Sequence, residues 1–427
     1  MKKSKKLLLD ISDKPKLGQG ILLALQHVFA MFGATILVPI LVNEIAGKEV
    51  LTIPVALASS GIGTLIYQLC TRRKSPVYLG SSFAYITPMA VGFASAGTGG
   101  VFTGVMAVGI IYVIIAIIIR FVGTDWLHKI LPPVVIGPMI MIIGLSLAPT
   151  AISEIGLDGA GNINIESLII ALVTFISTII FAIYAKGFFK IIPFFLGMTI
   201  GYITAIVLGV VDFTPVKEAA FFSLPQFNFA LIDYALNAKA LLAIAPIAFV
   251  TVAEHIGDHT VLSEIVDKDL LEDPGLDKTL LGDGLATFAA GFIGGPPNTT
   301  YGENTAVVGM TKVASTRVLT MAAIFAIAFS FLGKLTAIFS TIPNQVLGGV
   351  AILLYGFISV NGLIVLVKNQ VDFNKTKNVV VAATMLVLGL GGAIINIKSG
   401  SLDVSITGMT LAALVGITLN LLLKEEN

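Results

Sequence analysis

Long apolar runs follow one another along nearly the whole chain, and this feature restricts the fold more than any other. A helix needs about 20 mostly apolar residues to cross a bilayer. Between charged or turn-rich breaks the sequence offers about 14 such runs, near residues 21–45, 51–71, 78–95, 101–121, 131–151, 166–186, 190–211, 238–261, 280–297, 300–316, 319–339, 346–367, 377–395 and 403–423. Of the 427 residues, 56% are hydrophobic and only 12% are charged, about half the charged share of a soluble domain. Lipid is the solvent that can cover so much apolar surface, so the expected fold is an all-α polytopic membrane protein. The third and tenth runs are short and full of Gly, Ser, Thr and Asn.

Other classes find little support. A net charge of +1 supplies no concentrated basic face for nucleic acid. The single cysteine, Cys70, allows no intrachain disulfide. There is no P-loop, no Gly-rich dinucleotide turn and no nucleophile elbow, so neither an enzyme nor a cofactor is expected. The polar, lysine-rich stretch 1–18 lacks an apolar core and a cleavage site and is expected to remain as a tail.

Basic residues set the orientation. With the N-terminus inside, all but five of the 26 lysines and arginines fall in inside segments, among them Lys2, Lys3, Lys5 and Lys6. The exceptions are Lys48, Lys217, Lys239, Lys334 and Lys398. Removing one span would invert every later loop and spoil this bias. An even number of spans is therefore expected, multi-pass in the inner (cell) membrane, with both termini cytoplasmic.

Two halves of seven spans each would have opposite orientations, the arrangement of many transporters. The sequence carries an echo of it. Span one holds Gln26-His27 and span eight holds Glu254-His255, each a polar residue followed by His inside an apolar run. Span three, with Gly80-Ser81-Ser82-Phe83, and span ten, with Thr299-Thr300-Tyr301-Gly302-Glu303, are interrupted at the same place in their halves. Both read partly as short strand between turn residues. Such a pair points to a binding site at the bilayer midplane, where non-helical backbone is tolerated only if protein or a water-filled cavity satisfies it.

Three carboxylates lie inside apolar runs: Glu254 and Asp258, one turn apart on one face of span eight, and Glu303 in span ten. An acid at that depth costs about 2.5–3.5 kcal/mol to insert even on the mildest scale, which favours a functional role over that of a structural pin. Two acids one turn apart are costly to ionise together, so Glu254 and Asp258 are candidates to carry a coupled proton. His255 and His259 have the i, i+4 spacing of a metal pair, but the pattern E-H-x-x-D-H differs from the H-E-x-x-H of zinc proteases. No metal is expected, and His255, like His27, reads as a helix–helix hydrogen bond. Asp283 is either a core pin or a loop residue. The stretch from Glu264 to Asp283 reads as a solvated connector.

Taken together, Gln26-His27, Gly80-Ser81-Ser82-Phe83-Ala84, Ala253-Glu254-His255-Ile256-Gly257 and Asn298-Thr299-Thr300-Tyr301-Gly302-Glu303-Asn304 resemble the nucleobase–ascorbate transporter (nucleobase:cation symporter) family and, within it, its bacterial uracil permeases. The likeness covers nearly the whole chain. The family signature runs on through Glu303-Asn304-Thr305-Ala306 to Thr311-Lys312, with Ala306 where the family has Gly. The resemblance implies 14 spans in two inverted repeats. Residues 1–125 and 236–341 would form a core domain, and residues 126–235 and 342–427 a gate domain. Short antiparallel strands would lie in spans three and ten. It also implies that Glu254 and Glu303 accept the ring N–H groups of uracil, that the backbone of Phe83 and Gly302 meets its other polar edges, and that Tyr301 and Tyr355 pack near the ring. Gln26, His27, Ser82, His255 and Asn304 would support the site. Family uracil permeases often have His at the position of Asp258, and other branches have Asp. A homodimer is implied by resemblance alone.

The chemistry of the residues is consistent with this. Uracil presents two N–H donors and two carbonyl acceptors on a flat ring, which two carboxylates and free backbone N–H groups can match. A site that bonds every polar edge rejects analogues that leave its buried groups unpaired. Proton-coupled uracil import by alternating access is the expected function. The alternatives are a xanthine or other purine–proton symporter and a passive nucleobase channel. A sulfate-type anion carrier would need a positive site, and three carboxylates argue against it.

Overall fold

In the computed structural model, the apolar runs close their own backbone hydrogen bonds as helices, as lipid demands of a spanning chain. The structure describes residues 7–159, 164–227, 234–399 and 402–424; Lys2, Lys3, Lys5 and Lys6 lie outside the described residues. We label the main elements α1 (Leu17–Ala46), α2 (Ile53–Cys70), β1 (Leu79–Ser81), α3 (Ile86–Val122), α4 (Pro133–Leu145), α5 (Ala148–Glu154), α6 (Ile165–Tyr184), α7 (Pro193–Val207), α8 (Ala248–Val266), α9 (Leu276–Ile293), β2 (Asn298–Thr300), α10 (Gly302–Thr311), α11 (Thr316–Ser330), α12 (Asn344–Lys368), α13 (Thr376–Leu390), β3 (Ile395–Ser399), β4 (Leu402–Ile406) and α14 (Gly408–Leu422). Among the described residues, seven helical stretches are long and apolar enough to cross a membrane, and α7, α11, α13 and α14 are shorter apolar helices.

Local sequence explains the breaks. Proline stands in the first turn of α2, α4 and α7, where its missing N–H is not needed. Helix α1 stops at Gly47, whose φ of 66° is the left-handed C-terminal conformation. Within α3, Gly97 has a φ of 71° and separates the two runs that the sequence divides between residues 95 and 101. The outward face of α6 shows Ile165, Ile169, Leu172, Ile176, Ile180 and Ile183, an apolar stripe at helical spacing turned away from the protein.

Helix α9 packs on α3 and α2, and α11 packs on α2 and α1. In a second group, α12 packs on α4 and α6, and α13 packs on α14 and α4. Helix α8 touches both, through α10 on one side and α4 on the other. Small residues allow the closest crossings: a side chain on Gly109 of α3 would meet the carbonyl of Gly284 in α9 at 2.5 Å.

Between the helices, β1 and β2 pair antiparallel in the register Leu79↔Thr300, Gly80↔Thr299 and Ser81↔Asn298. The pairing extends at both ends, with Tyr301 N–H donating to Tyr78 O (3.1 Å) and Ser82 N–H to Pro297 O (2.9 Å). The outer edges are also satisfied. Ser60 Oγ donates to Leu79 O (2.6 Å), Leu79 N–H donates to Thr64 Oγ1 (2.9 Å), and Thr287 Oγ1 donates to Asn298 O (3.0 Å). Extended backbone survives at this depth because side chains replace water.

Some sequence boundaries shift. Helix α9 starts at Leu276, so Asp283 lies two turns inside it and is fully buried, and the solvated connector ends earlier than expected. Strands β3 and β4 pair antiparallel, Ile395 opposite Ile406 and Ser399 opposite Leu402, where the sequence suggests the end of one span and the start of the next.

Candidate functional site

The strand pair aims two helix starts at one point. After β1, the short 3-10 turn Phe83–Tyr85 runs into α3, and after β2, Tyr301 leads directly into α10 at Gly302. The first N–H groups of a helix have no partner within it and carry its positive dipole end. Beside them opens a cavity of about 900 Å³, whose walls include Phe83, Glu254, Asp258, Thr299, Thr300, Tyr301, Gly302 and Glu303. It widens to Lys190, Glu264 and Lys368, on the face where α1 begins and α12 ends. At this mouth Lys368 Nζ donates to Glu264 Oε2 at 2.8 Å, joining the ends of α12 and α8. Phe32 of α1 packs against Phe29, Phe195, Phe329 and Phe339 with ring centroids 5.3–6.5 Å apart, in an aromatic cluster beside the cavity. A larger hollow of about 1180 Å³ on the opposite face includes Asn43, Glu44 and Lys48 in its walls and holds none of the candidate residues.

Glu254 and Asp258 point from α8 toward β2. Thr300 Oγ1 donates to Asp258 Oδ2 at 2.7 Å, and Thr299 Oγ1 reaches Glu254 Oε2 at 3.4 Å. Glu303 stands in the first turn of α10, with its carboxylate over its own backbone N–H. The three acids are close enough to repel one another. Tyr301 is held by its hydroxyl, which donates to Ser81 O (3.0 Å) and accepts from Thr35 Oγ1 (3.0 Å). Its ring lies over Gly80, where any Cβ would meet ring atoms at 2.3 Å. Gly80 is thus the residue that lets the tyrosine lie flat on β1.

The other candidates surround this set without lining it. Tyr355 lies behind Phe83, ring centroids 6.1 Å apart at 74°, with its hydroxyl buried and without a partner among the described residues. Asn304 Nδ2 donates to His27 O (3.1 Å) and stands 3.2 Å from His27 Nδ1, tying α10 to α1. Gln26 Oε1 and Ser82 Oγ are buried without a partner among the described residues. His255 and His259 face away from the cavity, their rings stacked 4.0 Å apart. His255 Nδ1 meets Asp283 Oδ2 at 2.7 Å, the helix–helix bond expected of it. His259 Nδ1 lies 2.8 Å from His255 O, which can only accept, so Nδ1 carries the proton. In the neutral ring Nε2 then accepts, and the donor is the Tyr67 hydroxyl at 2.6 Å.

Sequence reading did not assign Thr299 and Thr300 to the carboxylates, Thr35 to Tyr301, or Tyr67 to His259. Only the threonines left a signal. In β2, alternation places successive side chains on opposite faces, but the strand's twist and its turn into α10 bring both hydroxyls to acids of α8.

The Permease family, through its xanthine/uracil permease profile, matches residues 18–398. The chain belongs to this family. Among similar permeases, the uracil permease of Bacillus caldolyticus is 45% identical over 98% of this chain and 95% of its own length. Those of Bacillus subtilis (44%, covering 99% and 97%) and Escherichia coli K12 (40%, covering 97% and 93%) are also similar. These relatives are named as transporters and not as enzymes. Among solved structures, the transmembrane domain of the cyanobacterial bicarbonate transporter BicA superposes with a TM-score of 0.63 at 15% identity, covering 96% of this chain and 98% of that one. Murine Slc26a9, an anion transporter in the inward-facing state, gives 0.69 at 12% identity, covering 96% and 69%. The permease therefore shares its fold with these carriers, and it is an integral membrane protein.

Proposed function

We propose that this permease carries uracil across the cell membrane together with a proton, by alternating access. The observation that carries the reading is the pairing, in one cavity, of acceptors and donors of the right kind. Glu254 and Glu303 offer carboxylate oxygens, and the backbone at Phe83 and Gly302 offers N–H groups at two helix starts. Glu254 and Glu303 take the two ring N–H groups, and the backbone donors take the carbonyls. Tyr301 and Phe83 flank the ring. Tyr355 acts by backing Phe83. Near identity in length with relatives named uracil permeases supports the choice of substrate.

Proton coupling rests on the same acids. Keeping Glu254, Asp258 and Glu303 all ionised in one buried cavity is costly, so the set holds a proton when no cation accompanies it. Asp258, which accepts from Thr300 Oγ1, exchanges that proton with water at the mouth. On this reading residues 1–125 and 236–341 move as the core against the gate of residues 126–235 and 342–427, as two inverted seven-span repeats. The mouth by Lys190 and Lys368 then opens to the cytoplasm, where both termini lie. The anion carriers share the fold, but three carboxylates repel an anion.

The test is uptake of labelled uracil into proteoliposomes, acid outside and neutral inside, with excess unlabelled xanthine in parallel. Accumulation above equilibrium that collapses with a protonophore and ignores xanthine is expected. Equilibration without accumulation would make the protein a facilitator, and competition by xanthine would move the substrate to purines.

A further inference from the structure

On the face opposite the mouth, a second pair of carboxylates stands where no substrate residue lies. Glu154, the last residue of α5, is only 6% exposed, and neither of its carboxyl oxygens has a hydrogen-bond partner among the described residues. It packs on α12, where a side chain on Gly348 would meet its Cβ at 2.7 Å. One turn earlier on the same face of α12, Asn344 Nδ2 donates to Glu44 Oε1 at 3.3 Å. Helix α12 thus gathers Glu154 and the exposed Glu44, from near the end of α1, at one patch, with the Glu44 carboxyl within hydrogen-bonding reach of Glu154. Among the described residues Tyr355 also faces them, and its buried hydroxyl has no partner there. Lys48 and Glu49 line the same hollow as Glu44. No salt bridge reaches either acid among the described residues.

Two facing carboxylates repel, and the buried one, Glu154, has no donor among the described residues. A single proton supplies the missing donor and converts the contact into an O–H···O⁻ bond, the strong, charge-assisted kind. We propose that Glu44 and Glu154 form a second proton-binding site, separate from the transport cavity, that latches α1 to α5 and α12 while this face is closed. The proton comes from solution in the hollow through exposed Glu44 and bridges the two carboxyls. When the face opens, the acids part, both become hydrated, and the proton returns to the same side. Acid on that side therefore favours the state in which the substrate cavity opens at the opposite mouth. The latch rests on the alternating-access reading above, but its readout is a conformational population and not uptake.

The test is a spin-label distance across this face, between cysteines placed at Lys48 and Leu157 in a Cys70→Ser background, in lipid nanodiscs. From about pH 8 to about pH 5 the ratio of short to long distances should rise about tenfold in the otherwise native protein. In Glu154→Gln, whose amide supplies a donor to Glu44 at every pH, the ratio should change less than about twofold. Glu44→Gln should flatten the response in the same way, which keeps the test open if Glu154→Gln folds poorly. Either variant retaining the native response, or no response in the native protein, would overturn the latch. Failure of uracil uptake, with the distance response intact, would instead remove the substrate reading and leave the latch standing.

Discussion

Helix α8 carries two pairs of polar side chains at the same spacing and puts them in opposite surroundings. Glu254 and Asp258 face the cavity, each with one threonine hydroxyl from β2 and open volume beyond. His255 and His259, the next residue in each case and so turned by about 100°, are fully buried among protein partners, Asp283 and Tyr67. The pattern E-H-x-x-D-H thus divides by face. A polar group with protein on one side and free volume on the other is arranged to receive a ligand or a proton. One closed in on all sides determines how helices dock. Motif membership alone cannot separate these roles, and helical phase can.

The comparison predicts separable failures. Asp283→Ala leaves His255 Nδ1 buried without its hydrogen-bond partner, which costs about 1–3 kcal/mol. The melting temperature in detergent should fall sharply, while the folded fraction keeps its uracil affinity. A large affinity loss at unchanged stability would break the comparison. Glu254→Gln should do the reverse. Removing one charged acceptor weakens uracil binding by about 1.5–3 kcal/mol, at least about tenfold in Kd, with no loss of melting temperature. Calorimetric titration checks the first quantity and thermal denaturation the second. Tyr67→Phe leaves His259 Nε2 without its donor and should cost about 1 kcal/mol of stability with uptake unaltered.

The smallest effect lies at the surface on the side of the mouth. Residues 8–11 strap the chain to the connection between α10 and α11, with Leu8 N–H donating to Lys312 O (2.7 Å) and Ala314 N–H to Leu9 O (2.8 Å). Lys268 Nζ, just beyond α8, donates to Asp10 Oδ2 at 2.9 Å. That ammonium, above all through its hydrogen bond, holds the Asp10 carboxyl below its ordinary value of 3.8. The stabilisation is complete at neutral pH and is lost as pH falls through the lowered value. Both groups are nearly half exposed, so Lys268→Met should cost no more than about 1 kcal/mol, read as faster hydrogen exchange in residues 8–11.

Much of this architecture was legible in the sequence, for physical reasons. Apolar runs of spanning length have no stable alternative to helix in lipid, and β1 and β2 announced themselves as the two places where such runs are interrupted. The three cavity acids stood out because insertion of a carboxylate is costly. What stayed hidden depends on contacts between distant segments. The Tyr301 hydroxyl meets Thr35 across 266 positions, and no local pattern encodes that meeting. Tyr355 sits on the correct helix, but helix packing turns it behind Phe83 and not into the cavity. Glu44 and Glu154 lie at helix ends, where an acid normally reaches water. Only the approach of α12 buries one of them.

The most direct test of the central claim, that the cavity acids bind uracil together with a proton, is proton entry driven by uracil alone. Proteoliposomes loaded with a pH-sensitive dye, with no ion or pH gradient, are exposed to external uracil. Interior acidification that follows uracil entry, is abolished in Glu254→Gln and persists in Tyr67→Phe is the predicted result. Entry of labelled uracil without acidification in the native protein would contradict the account.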